Sequence, residues 1–417
     1  MRLRAVFAVL LPLALAACTP SPPRPATGQP RVPHAAARVV GYFTDWGVYG
    51  RDYQVKEVET SGSASELTDL VYAFGQVKGG RCAAGDSWAD YERPIAAADS
   101  VDGAADPDDA ALQGNFAQLR KLKARHPGLK LIWSFGGWSG SDGFGDAARD
   151  PAAFARSCHD LLTDARWPGL FDGIDIDWEY PNACGVTCDS SGRDGLARVL
   201  DALRSAFGPD ALVTAAVPGD IGKLTVTDYA AAARSADWLS AMTYDYYGTS
   251  AEGTGDDAGD LHRTEPHSPL TAYPGIPRPD STTSATVDEL LRLGVPAGKV
   301  LLGIGFYGRG WTGVSSADAG GSATGPADGR YEKGIEDYQV LAQRCPPSGT
   351  VGGTAYAHCG SQWWSFDTPE TIKAKMAYAT SKALGGAFAW ELSGDTADGV
   401  LLKAMAAASR PVTAASP

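Results

Sequence analysis

Between residues 172 and 180 the chain reads DGIDIDWEY, and three acids, Asp175, Asp177 and Glu179, recur at every second position. Ile174, Ile176 and Trp178 fill the places between them. On a β-strand the two sets face opposite ways. Successive acids then stand about 6.6 Å apart along one face, at a rise of about 3.3 Å per residue. The apolar set is unsuited to solvent and calls for helices packed over it. Three carboxylates on one interior face repel and desolvate one another, which pushes their pKa values apart. Carboxylates perturbed in that way suit proton transfer, and a chain seldom keeps them without a chemical use. An antiparallel strand with one solvated acidic face gives the same alternation and stays open as a rival reading. A calcium loop fits poorly. The spacing of Asp172, Asp175 and Asp177 departs from the EF-hand pattern, and Ile176 stands where its turn glycine belongs.

An acid strand of this kind needs a frame. Short apolar runs at 38–46, 67–75, 130–138, 171–180, 212–219, 238–248, 299–311 and 385–395 read as strands. Helical patterns lie between them, at 115–126, 150–165, 193–207, 286–294 and 368–384. Thr368-Pro369-Glu370 opens the last of these with threonine at the N-cap and proline in the first turn. Eight strand–helix units predict an α/β fold, a (β/α)8 TIM barrel whose active site lies at the C-terminal ends of the strands. Two long interruptions stand out. Residues 249–284 form a Gly-, Asp- and Pro-rich loop after strand 6, of a length that is usually functional or disordered. Residues 312–362 read as a small α+β insertion between strand 7 and helix 7, with 331–333 and 338–340 as its ordered parts.

The whole chain has 417 residues, 44% of them hydrophobic, enough for a large core. Its formal net charge of −13 disfavours nucleic acid as a partner. None of the six histidines is paired with cysteine or histidine at a metal-ligand spacing, so no metal is expected. GFYGRG at 305–310 lacks the lysine of a phosphate cradle, and no cofactor is expected.

At the N-terminus, Arg2 and Arg4 precede an apolar stretch from Ala5 to Leu15, the pattern of a signal peptide over 1–17. Leu15-Ala16-Ala17-Cys18 resembles a bacterial lipobox, which would make Cys18 a lipidated membrane tether on an exported protein. Ordinary cleavage and secretion, at Ala14-Leu15-Ala16, is the alternative. The Pro-rich segment 18–38 reads as a tether, 39–405 as the barrel and 406–417 as a tail. Removing Cys18 from seven cysteines leaves six, an even number that suggests up to three disulfides. Cys184–Cys188 and Cys345–Cys359 are each close in sequence and are expected to pair, leaving Cys82 with Cys158.

These residues carry a resemblance. DGIDIDWEY matches the DxxDxDxE motif of glycoside hydrolase family 18 at Asp172, Asp175, Asp177 and Glu179. KLIWSFGGW matches its SxGG motif at Ser134, Gly136 and Gly137, and MTYDYYG (242–248), GFYGRGW (305–311) and FAWELSGD (388–395) follow in order. The chain resembles the secreted actinobacterial chitinases of that family over roughly 38–405. Gly305 departs from the family, which often has proline there.

The resemblance implies hydrolysis of β-1,4-linked N-acetylglucosamine, in chitin or chitooligosaccharides, by a retaining mechanism in which the substrate's acetamido oxygen attacks. It makes Glu179 the general acid, and near neutral pH a protonated glutamate needs neighbours that raise its pKa. Asp177 would turn to the acetamido N–H and share a proton with Asp175, while Asp172, out of phase, would shape the strand. Tyr244 would hydrogen-bond the acetamido oxygen. Met242 and Asp245 match wall and floor positions, Tyr42 and Ser134 would hold Asp175, and Tyr307 and Arg309 would contact sugar or support Asp245. For Tyr42, Met242, Tyr307 and Arg309, plain barrel packing is a rival reading. Trp390 matches the floor under the reacting sugar and Trp138 a wall on the leaving side, with Trp46 and Trp311 as further candidates. The resemblance also implies cis peptides at Ala73–Phe74, Glu179–Tyr180 and Trp390–Glu391. A monomer is expected. A chitin-binding lectin on the same barrel and an endo-β-N-acetylglucosaminidase acting on N-glycans are the alternatives; the presence of Glu179 argues against the first, and the tryptophan set and the insertion against the second.

Overall fold

The structure is a computed structural model that describes residues 37–107, 109–249 and 261–410. The signal peptide, Cys18 and the tether up to residue 36, and the last seven residues of the tail, lie outside the described residues.

Eight parallel strands close into a barrel. In chain order they are β1 (Arg38–Thr44), β2 (Asp69–Lys78), β3 (Lys130–Gly136), β4 (Gly173–Asp177), β5 (Leu212–Val217), β6 (Trp238–Ala241), β7 (Val300–Gly305) and β8 (Gly386–Trp390). Each pairs with the next, and β8 returns to β1. The parallel sheet removes the rival reading of a solvated antiparallel face. A three-residue strand, Arg81–Ala83, extends β2 as an antiparallel flap. Cys82 in that flap is bonded to Cys158 on the helix Pro151–Leu162.

Side-chain alternation sorts the strands' residues into two cores. Val40, Tyr42, Val71, Ile132, Trp238 and Phe388 fill the barrel interior. Ile174, Ile176 and Trp178 point the other way, fully or nearly buried among helix residues such as Phe154, Leu196 and Leu200. Trp178 stacks on Phe144 with ring centroids 5.3 Å apart. The C-terminal end of β4 is therefore held by packing on its outer face, which leaves its inner face free to carry charge.

The helix Pro369–Ser381 starts at Thr368, whose hydroxyl accepts from the Thr371 amide while the Thr371 hydroxyl accepts from the Thr368 amide. The run read as one strand over 299–311 is two. β7 ends at Gly305, and after Phe306 the chain enters a second, antiparallel sheet at Tyr307–Thr312. From there that sheet continues through Gln362–Phe366 to Thr354–Cys359, so the inserted unit begins five residues earlier than its composition suggests. Residues 331–333 form a turn; 338–340 open the helix Tyr338–Arg344. Cys345–Cys359 ties this sheet to that helix's end, and Cys184–Cys188 closes a short loop after β4.

Candidate active site

The acids of β4 sit at its C-terminal end, in three different settings. Asp175 is the deepest, 1% exposed. It accepts hydrogen bonds from Tyr42 Oη at 3.0 Å and Ser134 Oγ at 2.7 Å on one oxygen, and from Thr214 Oγ1 at 2.5 Å on the other. Burial raises its pKa, and the three hydroxyl donors oppose that rise. Asp177 is 6% exposed, and its buried Oδ1 has no partner among the described residues. Burial and the charges of Glu179 and Asp175 push Asp177 well above the ordinary carboxylate value. Glu179 lies half-buried where the strand opens into the cleft, its amide donating to Ser141 Oγ at 2.9 Å. Burial pushes its carboxyl up to about 7, against the pull of Tyr180 and the Lys223 ammonium and with the push of Asp245. A carboxylic acid that keeps its proton close to neutral pH is equipped to donate it.

Asp172, at the other end of the strand, takes no part. It pairs with Lys123 at 2.7 Å and Lys130 at 3.2 Å and accepts from the Leu131 amide at 2.9 Å. Its place is the barrel's lower rim.

The glycines of the SxGG run explain themselves here. Gly136 and Gly137 have φ of +113° and +82°, and a Cβ on Gly136 would lie 2.1 Å from the Asp177 carbonyl oxygen. The Gly137 amide donates to that same carbonyl at 2.8 Å. Only a bare backbone passes close enough to pin the end of β4.

Around the acids stand aromatic rings. Trp390 stacks with Phe74 (centroids 5.7 Å, planes 25° apart) and meets Tyr42 edge-on at 5.5 Å. Trp138, 38% exposed, meets Tyr180 edge-on at 6.4 Å. Tyr244 leans on Phe388 and Tyr307, and Met242 packs on the barrel core below it. Ala73–Phe74, Glu179–Tyr180 and Trp390–Glu391 are cis peptides, the three that the resemblance implies. Trp46, 42% exposed, extends the aromatic wall from Trp390 into a groove of about 690 Å3 that Phe74, Asp45 and Gly136 also line. Trp311 is fully buried against Trp363 in the second sheet, so it is core and not cleft.

Asp245 adopts φ +58° and is open to the cleft. Arg309 grips it in a fork, Nε to Oδ1 at 2.8 Å and Nη2 to Oδ2 at 2.7 Å. Desolvation alone would raise the Asp245 pKa, but the Arg309 guanidinium holds it well below the usual carboxylate range. Tyr307 Oη, beside this pair, is buried without a partner among the described residues. The structure thus gathers Tyr42, Ser134, Asp175, Asp177, Glu179, Met242, Tyr244, Asp245, Tyr307, Arg309 and Trp390 at one mouth, with Trp138 at its rim.

Sequence reasoning missed Thr214, the third donor to Asp175, and Ser141, which holds the Glu179 amide. It also missed Lys223, whose ammonium lies 4.3 Å from the centre of the Tyr180 ring, and His267 beneath Asp245. Only Thr214 carried a signal: a lone hydroxyl at an inward position of the apolar run LVTAAV.

The sequence pattern of "Glycosyl hydrolases family 18" matches residues 38–395 of the chain. The chain belongs to that family. The family 18 relatives include "Chitinase C" of Streptomyces lividans, 56% identical over 86% of this chain and 58% of that protein. "Chitinase 63" of Streptomyces plicatus is 53% identical over 91% of this chain and 61% of its own length. The chain therefore spans about three fifths of these curated relatives. Among solved structures, the catalytic domain of "psychrophilic chitinase B from Arthrobacter TAD20" is 34% identical, covers 92% of this chain and 98% of its own, and superposes with a TM-score of 0.82. The barrel and its order of elements are those of a family 18 domain.

Proposed function

We propose that this chain is a chitinase that hydrolyses β-1,4-linked N-acetylglucosamine in chitin or its oligosaccharides with retention of configuration, using the substrate's own acetamido group. The carrying observation is the contrast between Asp175, saturated with hydroxyl donors, and Asp177, whose buried Oδ1 has none among the described residues. A buried, unfilled acceptor asks for a donor, and an acetamido N–H supplies one.

In this reading Glu179 protonates the leaving oxygen and later deprotonates the incoming water. Asp177 accepts the acetamido N–H and so aims the acetamido oxygen at the anomeric carbon. Asp175 and Asp177 share one proton, which leaves Asp177 able to accept the acetamido N–H, and Tyr42 and Ser134 hold Asp175 still. Tyr244 donates to the acetamido oxygen from the opposite side. Trp390 forms the floor under the reacting sugar, with Met242 and Asp245 beside it; Trp138 walls the leaving side, and Tyr307 and Arg309 support Asp245 and meet sugar. The domain limits, 39–405 for the barrel with its insertion, belong to the same proposal, as do export, a lipid anchor at Cys18 or secretion, and a monomeric state.

The test is product analysis. Chitooligosaccharides should be cleaved with the β-anomer formed first, read by NMR before mutarotation, and a thiazoline analogue of the intermediate should inhibit. Brisk hydrolysis of fully deacetylated chitosan, or the α-anomer first, would replace the acetamido group by a protein carboxylate. Binding without turnover would turn the reading to a lectin, and release of N-glycans in preference to chitin cleavage to the endoglycosidase.

A further inference from the structure

His267 is fully buried, lies on the long loop after β6, and has no place in the reaction as just written. Its Nδ1 stands 3.6 Å from Asp245 Oδ1 and has no closer hydrogen-bond partner among the described residues. Its Nε2 lies 3.4 Å from Ser268 Oγ. We infer that His267 is a positioning residue: its Nδ1–H holds Asp245 at Oδ1, the oxygen that also accepts from Arg309 Nε, and the ring rests against a buried assembly of Ser268, Asp367 and Lys375.

The tautomer follows from the neighbours. Asp245 is ionised in the grip of Arg309, and an ionised carboxylate only accepts. The nitrogen that faces it must therefore carry the hydrogen. Nε2 is then bare and faces the Ser268 hydroxyl at 3.4 Å. The oxygen of that hydroxyl is turned by Lys375, whose Nζ donates to it at 3.0 Å and to Asp367 Oδ2 at 2.5 Å. Both Lys375 and Asp367 are wholly buried, so this pair is an inner fixture and not a surface contact. The Ser268 hydroxyl donates its one hydrogen to Asp367 Oδ2 at 2.9 Å, and Thr371 Oγ1 donates to the other Asp367 oxygen at 2.8 Å.

The backbone of His267 is tied on both sides. Its amide donates to Ser365 Oγ at 3.0 Å on the inserted sheet, and its carbonyl accepts from the Tyr246 amide at 2.9 Å, one residue beyond Asp245. The ring packs against Tyr307 at 5.3 Å between centroids. Gly305 makes the room: a Cβ there would come within 2.8 Å of the Tyr307 ring and 3.2 Å of His267 Cε1. The charged and titratable groups around the ring are thus Asp245, Arg309 behind it, Tyr307, Asp367 and Lys375. Burial lowers the His267 pKa and Asp245 pulls it back, in keeping with a neutral ring. At 3.6 Å the contact to Asp245 is open, and such contacts commonly tighten when substrate is bound.

This inference rests on the glycosidase reading for its kinetic consequence, but its first test needs no turnover. Nitrogen-15 NMR of the full chain should show the His267 ring, identified by its loss in His267→Asn, protonated at Nδ1 and bare at Nε2. The second test compares two amides. Asparagine places an N–H near the Nδ1 position, and glutamine places one near Nε2. His267→Gln should lower kcat about tenfold with KM little changed, while His267→Asn should keep kcat within about threefold of wild type, since small displacements of a positioned group cost turnover more than binding. A ring protonated at Nε2 alone, or equal kcat in the two variants, overturns the proposal. If glutamine prevents folding, the tautomer decides. Absence of any chitooligosaccharide cleavage by the wild type would instead strike the proposed function and leave the tautomer result standing.

Discussion

β4 ends in Asp177 and is preceded by Asp172, and the two aspartates live under opposite rules. At the lower rim Asp172 has two lysines and a backbone amide. At the mouth Asp177 has two acids for company and an oxygen with no donor among the described residues. The first is a stability device, with every acceptor matched. The second lowers stability, since a buried carboxylate beside like charges resists ionisation. One strand of five residues therefore passes from a satisfied end to an unsatisfied one, and the unsatisfied end is where the aromatic rings converge. Natural chains keep such a defect where removing it would remove function.

The sharpest way to break the comparison is to neutralise the mouth. Glu179→Gln should cut turnover by at least about 10²–10⁴-fold, the contribution of a general acid, while oligosaccharide binding persists. Near-normal turnover in initial-rate assays would refute the assignment. Asp177→Asn should also lower turnover by about 10²-fold or more, yet stabilise the protein at neutral pH by about 1 kcal/mol, because it removes a repelling charge from a buried site. The sign is checked by pH. Below the ordinary carboxylate pKa both states of the wild-type group hold their proton, and the stability gain should vanish there. A urea series at two pH values reads this, and a variant less stable at pH 7 would contradict it.

How far the sequence told this in advance differs between the two ends. The mouth was legible because alternation of acids with Ile174, Ile176 and Trp178 has one structural meaning on a strand buried on both faces. The three cysteine pairs followed from proximity and remainder, and the structure contains all three. The end of β7 was not legible. GIGFYGRGW reads as one continuous strand, and only the turn at Phe306 hands the chain from the barrel to the second sheet. Neither was His267, because a histidine in a loop gives no periodicity to read, and its partners come from residues 245, 268 and 365. Lys223, on a short helix after β5, acts on Glu179 because β5 lies beside β4 in the sheet, a pairing that no local sequence pattern gives.

The lower rim should answer to stability alone. Asp172→Ala leaves the Leu131 amide without its partner and two lysines without their anion, at a cost of about 1–3 kcal/mol. Turnover at a temperature where the variant stays folded should match wild type. A loss of turnover without a shift in the unfolding midpoint would mean that the rim and the mouth are not separate after all.

The smallest effect tests the electrostatics of Glu179 itself. Its raised pKa has a stability consequence of fixed sign. The unfolded carboxyl ionises near its ordinary value of 4.5 and the folded one near 7, so the group's contribution to stability falls as pH rises between them. For activity the same shift sets the alkaline limb, where the proton donor is lost. Lys223 favours the ionised form of Glu179, and Asp245 disfavours it. Removing each should move the limb in opposite directions. Lys223→Met should carry it to higher pH by a few tenths of a unit, and Asp245→Asn should carry it to lower pH, with a fall in turnover besides because Asp245 stands in the cleft. The measurement is kcat/KM on a chromogenic chitobioside from pH 5 to 9. Two limbs that move together, or neither moving, would mean that some group other than Glu179 sets the alkaline loss, and the acid at the mouth would have to be sought again among its neighbours.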